Sequence, residues 1–424
     1  MSITIRTVHA VEILDSRSRP TLSVTLAAAA PGNDDIVIRT GVPAGASTGS
    51  REATELRDGD KDRYSGQGVL KAVESVNGEI HERLAGHEFP SLAELDHELI
   101  DLDGTTNKSR LGANAIVGVS IAASYAFATA ERQQLWQSFF GFVGAPDLPV
   151  PHFNVINGGV HALNELDFQE FMLAPIGAPS IAEAVRAGSE VYSALRSLLH
   201  SRNMSVGLGD EGGFAPEIAE PEEALDLLVE AITTAGYTAG TDGVAIAIDP
   251  ASSEFYSDGT YTVAGKPFSS DEMIERYAEM VKRYPVYSIE DGLSESDWPG
   301  WQRLTSRLGD TIQLVGDDIF CTNPGIISEG IDQGVGNSAL IKVNQIGTVT
   351  ETLDAMITCR DGNYTQFVSH RSGETPDTFI ADLAVGTGAG RIKSGAPARG
   401  ERVSKYNLLI EIADDNRELP FGLG

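Results

Sequence analysis

From about Pro149 onward, short apolar runs recur that each end in a polar residue and a turn signal. They are PVPHFNVINGG, EFMLAPIG, SVGLGDEGG, VAIAIDPA, VYSIEDG, IQLVGDD, ALIKVNQIG, QFVSHRSG and RIKSG. Between several of them the apolar period lengthens to three and four. Ile181, Ala184, Val185, Gly188, Val191, Tyr192, Leu195 and Leu199 fall on one helical face, as do Leu225, Leu228, Val229 and Ile232, and Met273, Ile274, Tyr277, Met280 and Val281. Strand alternating with helix over this length predicts a parallel sheet, and the number of units favours closure into an α/β barrel. The first third reads as α+β: β-like alternation over 21–26 and 36–40 is mixed with helical stretches over 68–84 and 111–130. The last of these is uncharged and long enough to test as a membrane span. Its Gly, Ala, Ser, Asn and Thr content makes it weakly hydrophobic, and a tightly packed buried helix is the better reading.

Composition narrows the class. In 424 residues, 41% hydrophobic against 22% charged provides for a substantial core and argues against disorder. Lys and Arg total 31 against 61 Asp and Glu, a net charge of −30 that repels nucleic acid and anionic membranes. With only Cys321 and Cys359, a disulfide framework and a Cys-based zinc site are excluded, and a reducing compartment is suited. The segment MSITIRTVHAVEILDSR lacks the basic and apolar regions of a signal peptide, so a soluble, cytoplasmic protein is expected.

Active sites of α/β barrels lie at the C-terminal ends of the strands. The polar residues closing the runs are Glu211, Asp249, Glu290, Asp317, Lys342, His370 and Lys393. Any one alone is ordinary loop polarity, but seven chemically useful groups at seven strand ends point to a site. Asp249, Glu290 and Asp317 would converge as three carboxylates, which need a cation. An all-oxygen set without His or Cys selects a hard ion such as Mg²⁺. The neighbouring Asp291 and Asp318 offer an alternative register. Lys342 and Lys393 stand beside apolar runs. A lysine acts as a base only when neutral, and a metal and a second lysine nearby would lower its pKa. Arg371 and Ser372, beside His370, offer a guanidinium fork and a hydroxyl suited to phosphate or carboxylate.

Two shorter motifs fail on context. GASTG fits the nucleophile elbow of serine hydrolases, but it lies in the α+β third, between Pro43 and the charged REATELRDGD. GLGDEGG fits the G-x-G-x-x-G pattern after a strand, yet Asp210 and Glu211 inside the proposed cradle would repel a pyrophosphate.

The chain resembles the enolase family over essentially its whole length. The resemblance is carried by ILDSR, GASTG, ELRDGDK, NKSRLGANAI, INGGVHA, QEFM, GDEGG, ASSEF, SIEDG, GDD, KVNQIG and SHRSGETPDTFIADLAVG. It implies a small N-terminal α+β domain (1–138) before a modified (β/α)8 barrel (139–424) whose second strand runs antiparallel. It also implies a hydro-lyase that dehydrates 2-phosphoglycerate to phosphoenolpyruvate, with two Mg²⁺ ions per site, one structural or conformational and one catalytic. On this resemblance Asp249, Glu290 and Asp317 hold the first ion, and Ser47 helps bind the second with the substrate phosphate. Lys342 removes the C2 proton, and Glu211, with Glu170 beside it, protonates the departing C3 hydroxyl. His161, His370, Arg371, Ser372 and Lys393 complete the pocket, Arg371 and Ser372 on phosphate and Lys393 near the carboxylate. The K-x-K base pair of the wider superfamily is absent, against a racemase or cycloisomerase.

The sequence also departs from the family pattern. Ser18-Arg19 replaces the usual Gly-Asn, Ala44 stands within PAGAS where PSGAS is usual, and Leu163 follows GGVHA where a small or acidic residue is common. The usual interface Glu and Arg pair reads Ser23 and Glu411. A divergent paralogue acting on a phosphonate or otherwise modified analogue is therefore an alternative substrate reading. A non-catalytic binding role is a further alternative, weakened by the absence of lysine in ELPFGLG. A homodimer is expected.

Overall fold

The computed structural model describes residues 1–46 and 48–423. The chain opens with two long antiparallel strands, β1 (Ile3–Leu14) and β2 (Pro20–Ala30), followed by β3 (Asn33–Gly41) on the outer side of β2. In β2 Leu22, Val24, Leu26, Ala28 and Ala30 are buried at alternate positions, the period of a sheet with one covered face. The predicted 68–84 helix is α1 (Leu70–Ser75) and α2 (His81–Leu84), joined through one wider helical turn. A short β4 (Glu88–Phe89) pairs with β1, and α3 (Leu92–Asp103) starts at Ser91, whose side chain accepts the Glu94 N–H.

Helix α4 (Ala113–Ala130) is long and apolar enough to cross a membrane, but 89% of it is buried within the protein. Its small residues let it lie against the sheet. A Cβ on Gly118 would come within 2.6 Å of Val24 and 2.8 Å of Val42. The single-turn α5 (Leu135–Ser138) ends this part of the chain.

The barrel is closed by eight strands: β5 (Val150–Asn157), β6 (Glu170–Ala174), β7 (Ala245–Asp249), β11 (Val286–Glu290), β12 (Gln313–Gly316), β13 (Ser338–Ile341), β14 (Thr365–Ser369) and β15 (Arg391–Lys393). A small sheet of β8 (Tyr256–Ser257), β9 (Thr260–Val263) and β10 (Lys266–Phe268) follows β7. The outer helices are α6 (Ile181–Ser201), α7 (Pro221–Thr234), α8 (Ser270–Arg283), α9 (Trp298–Leu308), α10 (Pro324–Gln333), α11 (Val343–Ile346), α12 (Val349–Asp361), α13 (Phe379–Thr387) and α14 (Gly400–Asp415). Every apolar position read onto the α6 face is buried or half-buried, and so are those of α7 and α8.

One strand is reversed. β6 pairs antiparallel with both β5 and β7, whereas the other neighbours pair parallel. The link 158–169 carries no crossover helix, so the chain turns straight back along β5. The return to β7 then takes two helices, α6 and α7, with the GLGDEGG loop between them. The run SVGLGDEGG is accordingly not a barrel strand, and Glu211 is not at a strand end. The loop is pinned along the end of β5, with Asn157 N–H donating to Phe214 O and Phe214 N–H to Val155 O, both at 2.8 Å. Gly209 and Gly213 permit this: a Cβ on either would come within 2.7 Å of an Asn157 atom.

The N-terminal part sits over the rim that carries the strand ends. Ala44 and Gly373 exchange backbone hydrogen bonds of 2.8 and 2.9 Å, Ser16 N–H donates to Glu374 O at 2.9 Å, and Ala53 N–H to Gln345 O at 2.8 Å.

Candidate active site

Asp249, Glu290 and Lys393 are the last residues of their strands, Lys342 and His370 come directly after β13 and β14, and Asp317 directly after β12. Glu170 is the first residue of β6. Because that strand is reversed, it pairs opposite Asp249 and Asn157 and arrives on the same rim. One cavity is lined by His161, Glu170, Glu211, Lys342, His370, Arg371, Ser372 and Lys393, so eight of the residues singled out in the sequence share it. Ser47 lies outside the described residues, and neighbouring Ala46 also lines the cavity. Residues 50–63, which follow the GASTG motif, form no helix, against the elbow reading.

Two ammonium groups organise the carboxylates. Lys393 Nζ lies 2.8 Å from both oxygens of Glu290, 3.3 Å from Asp249 Oδ2 and 3.1 Å from Glu170 Oε2. Burial acts to lower the Lys393 pKa, but the carboxylates of Glu170, Glu290 and Asp249 hold it well above its ordinary value. Lys342 Nζ donates to Asp317 Oδ2, while Gln345 Nε2 donates to Asp317 Oδ1 at 2.8 Å. The sequence led us to expect a lowered Lys342 pKa, and in this structure it is raised. Burial and the cations Arg371 and Lys393 do act downward, but contact with Asp317 outweighs them.

The carboxylates at the strand ends have the chemistry to suit a hard cation. Asp249, Glu290 and Asp317 are buried oxygen donors from neighbouring strands, and Glu290 is pushed well above the usual carboxylate range by burial and by Asp249. Among the described residues, the three carboxyl groups whose donor atoms lie within 4.8 Å of one another are those of Asp291, Asp317 and Asp318. Asp291 is occupied otherwise: its two oxygens accept the backbone N–H groups of Asp317 and Asp318, both at 2.9 Å. It buttresses the turn that presents Asp317.

Across the cavity, His161 Nδ1 is 3.8 Å from Glu170 Oε1 and 3.7 Å from Glu211 Oε1. Asn154 Nδ2 donates to Glu211 Oε2 at 2.9 Å, and His370 Nε2 lies 3.2 Å from the same oxygen. Burial and the neighbouring Glu211 raise Glu170 well above the usual range. For Glu211 burial is outweighed by His370 and His161, and it falls well below. The two carboxyls are thus pushed in opposite directions, Glu170 toward the protonated form and Glu211 toward the ionised one.

At Arg371 and Ser372, Arg371 forms a bidentate pair with Glu52 of the N-terminal part, at 3.0 and 3.1 Å, and donates to Asn344 Oδ1 at 3.1 Å. Ser372 Oγ accepts from Arg17 Nη1 at 2.9 Å, and Arg17 also holds the carbonyls of Ala44 and Gly45 at 2.9 and 3.2 Å. Ser18, in the adjoining turn, has a φ of 62°, the left-handed region that explains the usual glycine there. Leu163 is fully exposed. Sequence reasoning assigned no role to Arg17, Glu52, Asn154, Asn344 or Gln345, although Arg17 lies within ILDSR and Asn344 and Gln345 within KVNQIG. No spacing rule marked the others.

A barrel with one reversed strand, an α+β unit over its rim, and lysines facing a carboxylate cluster and a glutamate pair define the class: a two-domain barrel protein with its candidate active site on the rim under the N-terminal part. Family profiles described as "Enolase, N-terminal domain" and "Enolase, C-terminal TIM barrel domain" match residues 5–139 and 146–419. The chain is also 52% identical over 414 residues to "Enolase 1" of Chlorobaculum tepidum, covering 97% of this chain and 96% of that protein. The chain belongs to the enolase family.

Proposed function

We propose that the protein dehydrates 2-phosphoglycerate to phosphoenolpyruvate. The observation that carries this reading is the shared cavity, into which Lys342 and the Glu170–Glu211 pair open together. Lys342 takes the C2 proton. The Glu170–Glu211 pair, with His161 between its members, supplies a proton to the departing C3 hydroxyl. A proton beside a carboxylate is barely acidic, and its removal adds negative charge to an anion, so strong electrostatic stabilisation is required. Lys393 lies on the carboxylate side, with Arg371, Ser372 and His370 toward the phosphate.

Asp249, Glu290 and Asp317 would hold one Mg²⁺, and Ser47 would join the substrate phosphate in holding a second. When bound, the two ions supply positive charge against the developing dianion. Engagement of Asp317 by a cation would weaken the contact that keeps Lys342 protonated. The gathering of lysine, arginine and metal in one cleft allows a chain of net charge −30 to bind a small phosphorylated hydroxy acid. The division at 138/139, a homodimeric assembly and a cytoplasmic setting belong to the same reading. The free, buried thiols of Cys321 and Cys359 support a reducing compartment.

The test is an ultraviolet assay for enol formation from 2-phosphoglycerate with Mg²⁺. Turnover at a rate ordinary for a metabolic enzyme is expected, and no turnover of this substrate would overturn the reading.

A further inference from the structure

Arg402, in the first turn of α14, is fully buried, yet no role in the reaction falls to it. Its Nη1 lies 2.6 Å from His370 Nδ1 and 2.7 Å from the carbonyl of Arg371. Its Nη2 donates to the carbonyl oxygens of Ser372 at 2.5 Å and Asp210 at 3.2 Å, and to Ser16 Oγ at 3.3 Å. One guanidinium thus binds the peptide groups next to Glu211, the backbone of the 371–372 turn and the ring of His370.

A guanidinium has five N–H donors and no acceptor. Its contact with His370 Nδ1 therefore requires a bare lone pair on that nitrogen, which leaves the ring proton on Nε2. That nitrogen is the one 3.2 Å from Glu211 Oε2. A doubly protonated ring would set an N–H against an N–H. Burial agrees, pushing His370 down to about 4.

We infer that Arg402 is a positioning residue that fixes His370 as the neutral Nε2–H tautomer, with its ring proton on the side of Glu211. Asn154 holds Glu211 Oε2, the oxygen 3.2 Å from His370 Nε2, which leaves Oε1 toward His161 and the cavity. A ring whose remaining lone pair is held by Arg402 cannot accept a proton from the carboxylates. The proton of the Glu170–Glu211 pair is thereby kept for the substrate hydroxyl or solvent. This consequence rests on the dehydration reading; the tautomer itself does not.

The first experiment is nitrogen-15 NMR of the full chain with labelled histidine in Mg²⁺ buffer, with the His370 signals assigned by their loss in His370→Gln. A bare Nδ1 and a protonated Nε2 are expected. A protonated Nδ1, an imidazolium or a tautomer average would overturn the inference, whatever the enzyme turns over. The second is Arg402→Lys, which keeps a cation but loses the fork. The His370 signals should become those of a tautomer mixture, and kcat for 2-phosphoglycerate should fall by about 10–100-fold, typical for loss of an outer hydrogen-bond partner, with a smaller change in KM. An unchanged tautomer or an unchanged kcat in a folded variant would overturn it. Should this variant not fold, the wild-type spectrum decides alone. The expected spectrum without turnover of 2-phosphoglycerate would leave the tautomer standing and remove the dehydration reading.

Discussion

Lys393 holds its ammonium 2.8 Å from both carboxylate oxygens of Glu290, and Lys342 pairs with Asp317 in the same cluster. Two lysines thus stand among the buried carboxyl groups of Glu170, Glu211, Asp249, Glu290 and Asp317, an excess of acidic groups over ammonium groups. Such an excess favours a divalent cation, and Asp317 is the proposed ligand whose loss also removes the partner of Lys342. We expect activity to require Mg²⁺ and to vanish on chelation. Asp317→Ala should be reduced about 10–100-fold or more at ordinary Mg²⁺, because one of three ligands to a weakly held hard ion is missing. Full activity in excess chelator would refute the metal reading.

Lys342→Ala should lower turnover by ~10²-fold or more while leaving the fold intact, since it removes the base but little core volume. Exchange of the C2 proton with solvent separates the roles more sharply. Glu211→Gln retains Lys342 and should still exchange that proton, whereas Lys342→Ala should not. Equal exchange in the two variants would void the assignment.

Much of the site was legible because parallel strands end in one plane: Asp249, Glu290, Asp317, Lys342, His370 and Lys393 could be read as strand-end residues and do line up on one rim. The same logic failed where the topology departs from repetition. Glu170 begins its strand, so a uniform parallel sheet would place it on the far face; only the family resemblance pointed to it, and the reversal of β6 explains its position. Glu211 looked like a strand end because apolar residues precede it, but Gly209 and Gly213 serve the close packing of a loop on β5. Arg402 carried no signal, since a helical arginine reads as surface until the fold turns it inward.

Asp382 allows a stability test away from the chemistry. Burial raises its carboxyl from 3.8 to about 7, against the opposing Trp136 N–H that donates to Oδ1 at 3.2 Å. The folded chain therefore holds this proton more tightly than the unfolded chain. The contribution is complete below the unfolded value and is lost as pH rises through about 7. Asp382→Asn keeps an acceptor for Trp136 without the ionisation. Its stability should gain on the wild type from pH 5 up to about pH 7, at most ~1.4 kcal/mol for each pH unit crossed, seen as a widening difference in Tm. Parallel Tm curves for the two proteins over that range would contradict a raised Asp382.

The expected dimer must manage without the usual Glu and Arg pair. Glu411 is exposed on α14, so the protomer alone does not bury an unpaired charge there, and Arg19 is exposed in the turn between β1 and β2. On β1, Val11 and Leu14 are 47% and 51% exposed, apolar surface that a partner could cover. Desolvating Glu411 unpaired at an interface would be costly, so a cation such as Arg19 is expected to meet it, or it stays solvated at the rim. Light scattering across a dilution series should show a dimer, and Arg19→Ala should weaken it. A monomer at every concentration would refute the dimer. A tight dimer indifferent to both Arg19→Ala and Glu411→Ala would leave the apolar surface of β1 as the holding contact and remove the compensating pair.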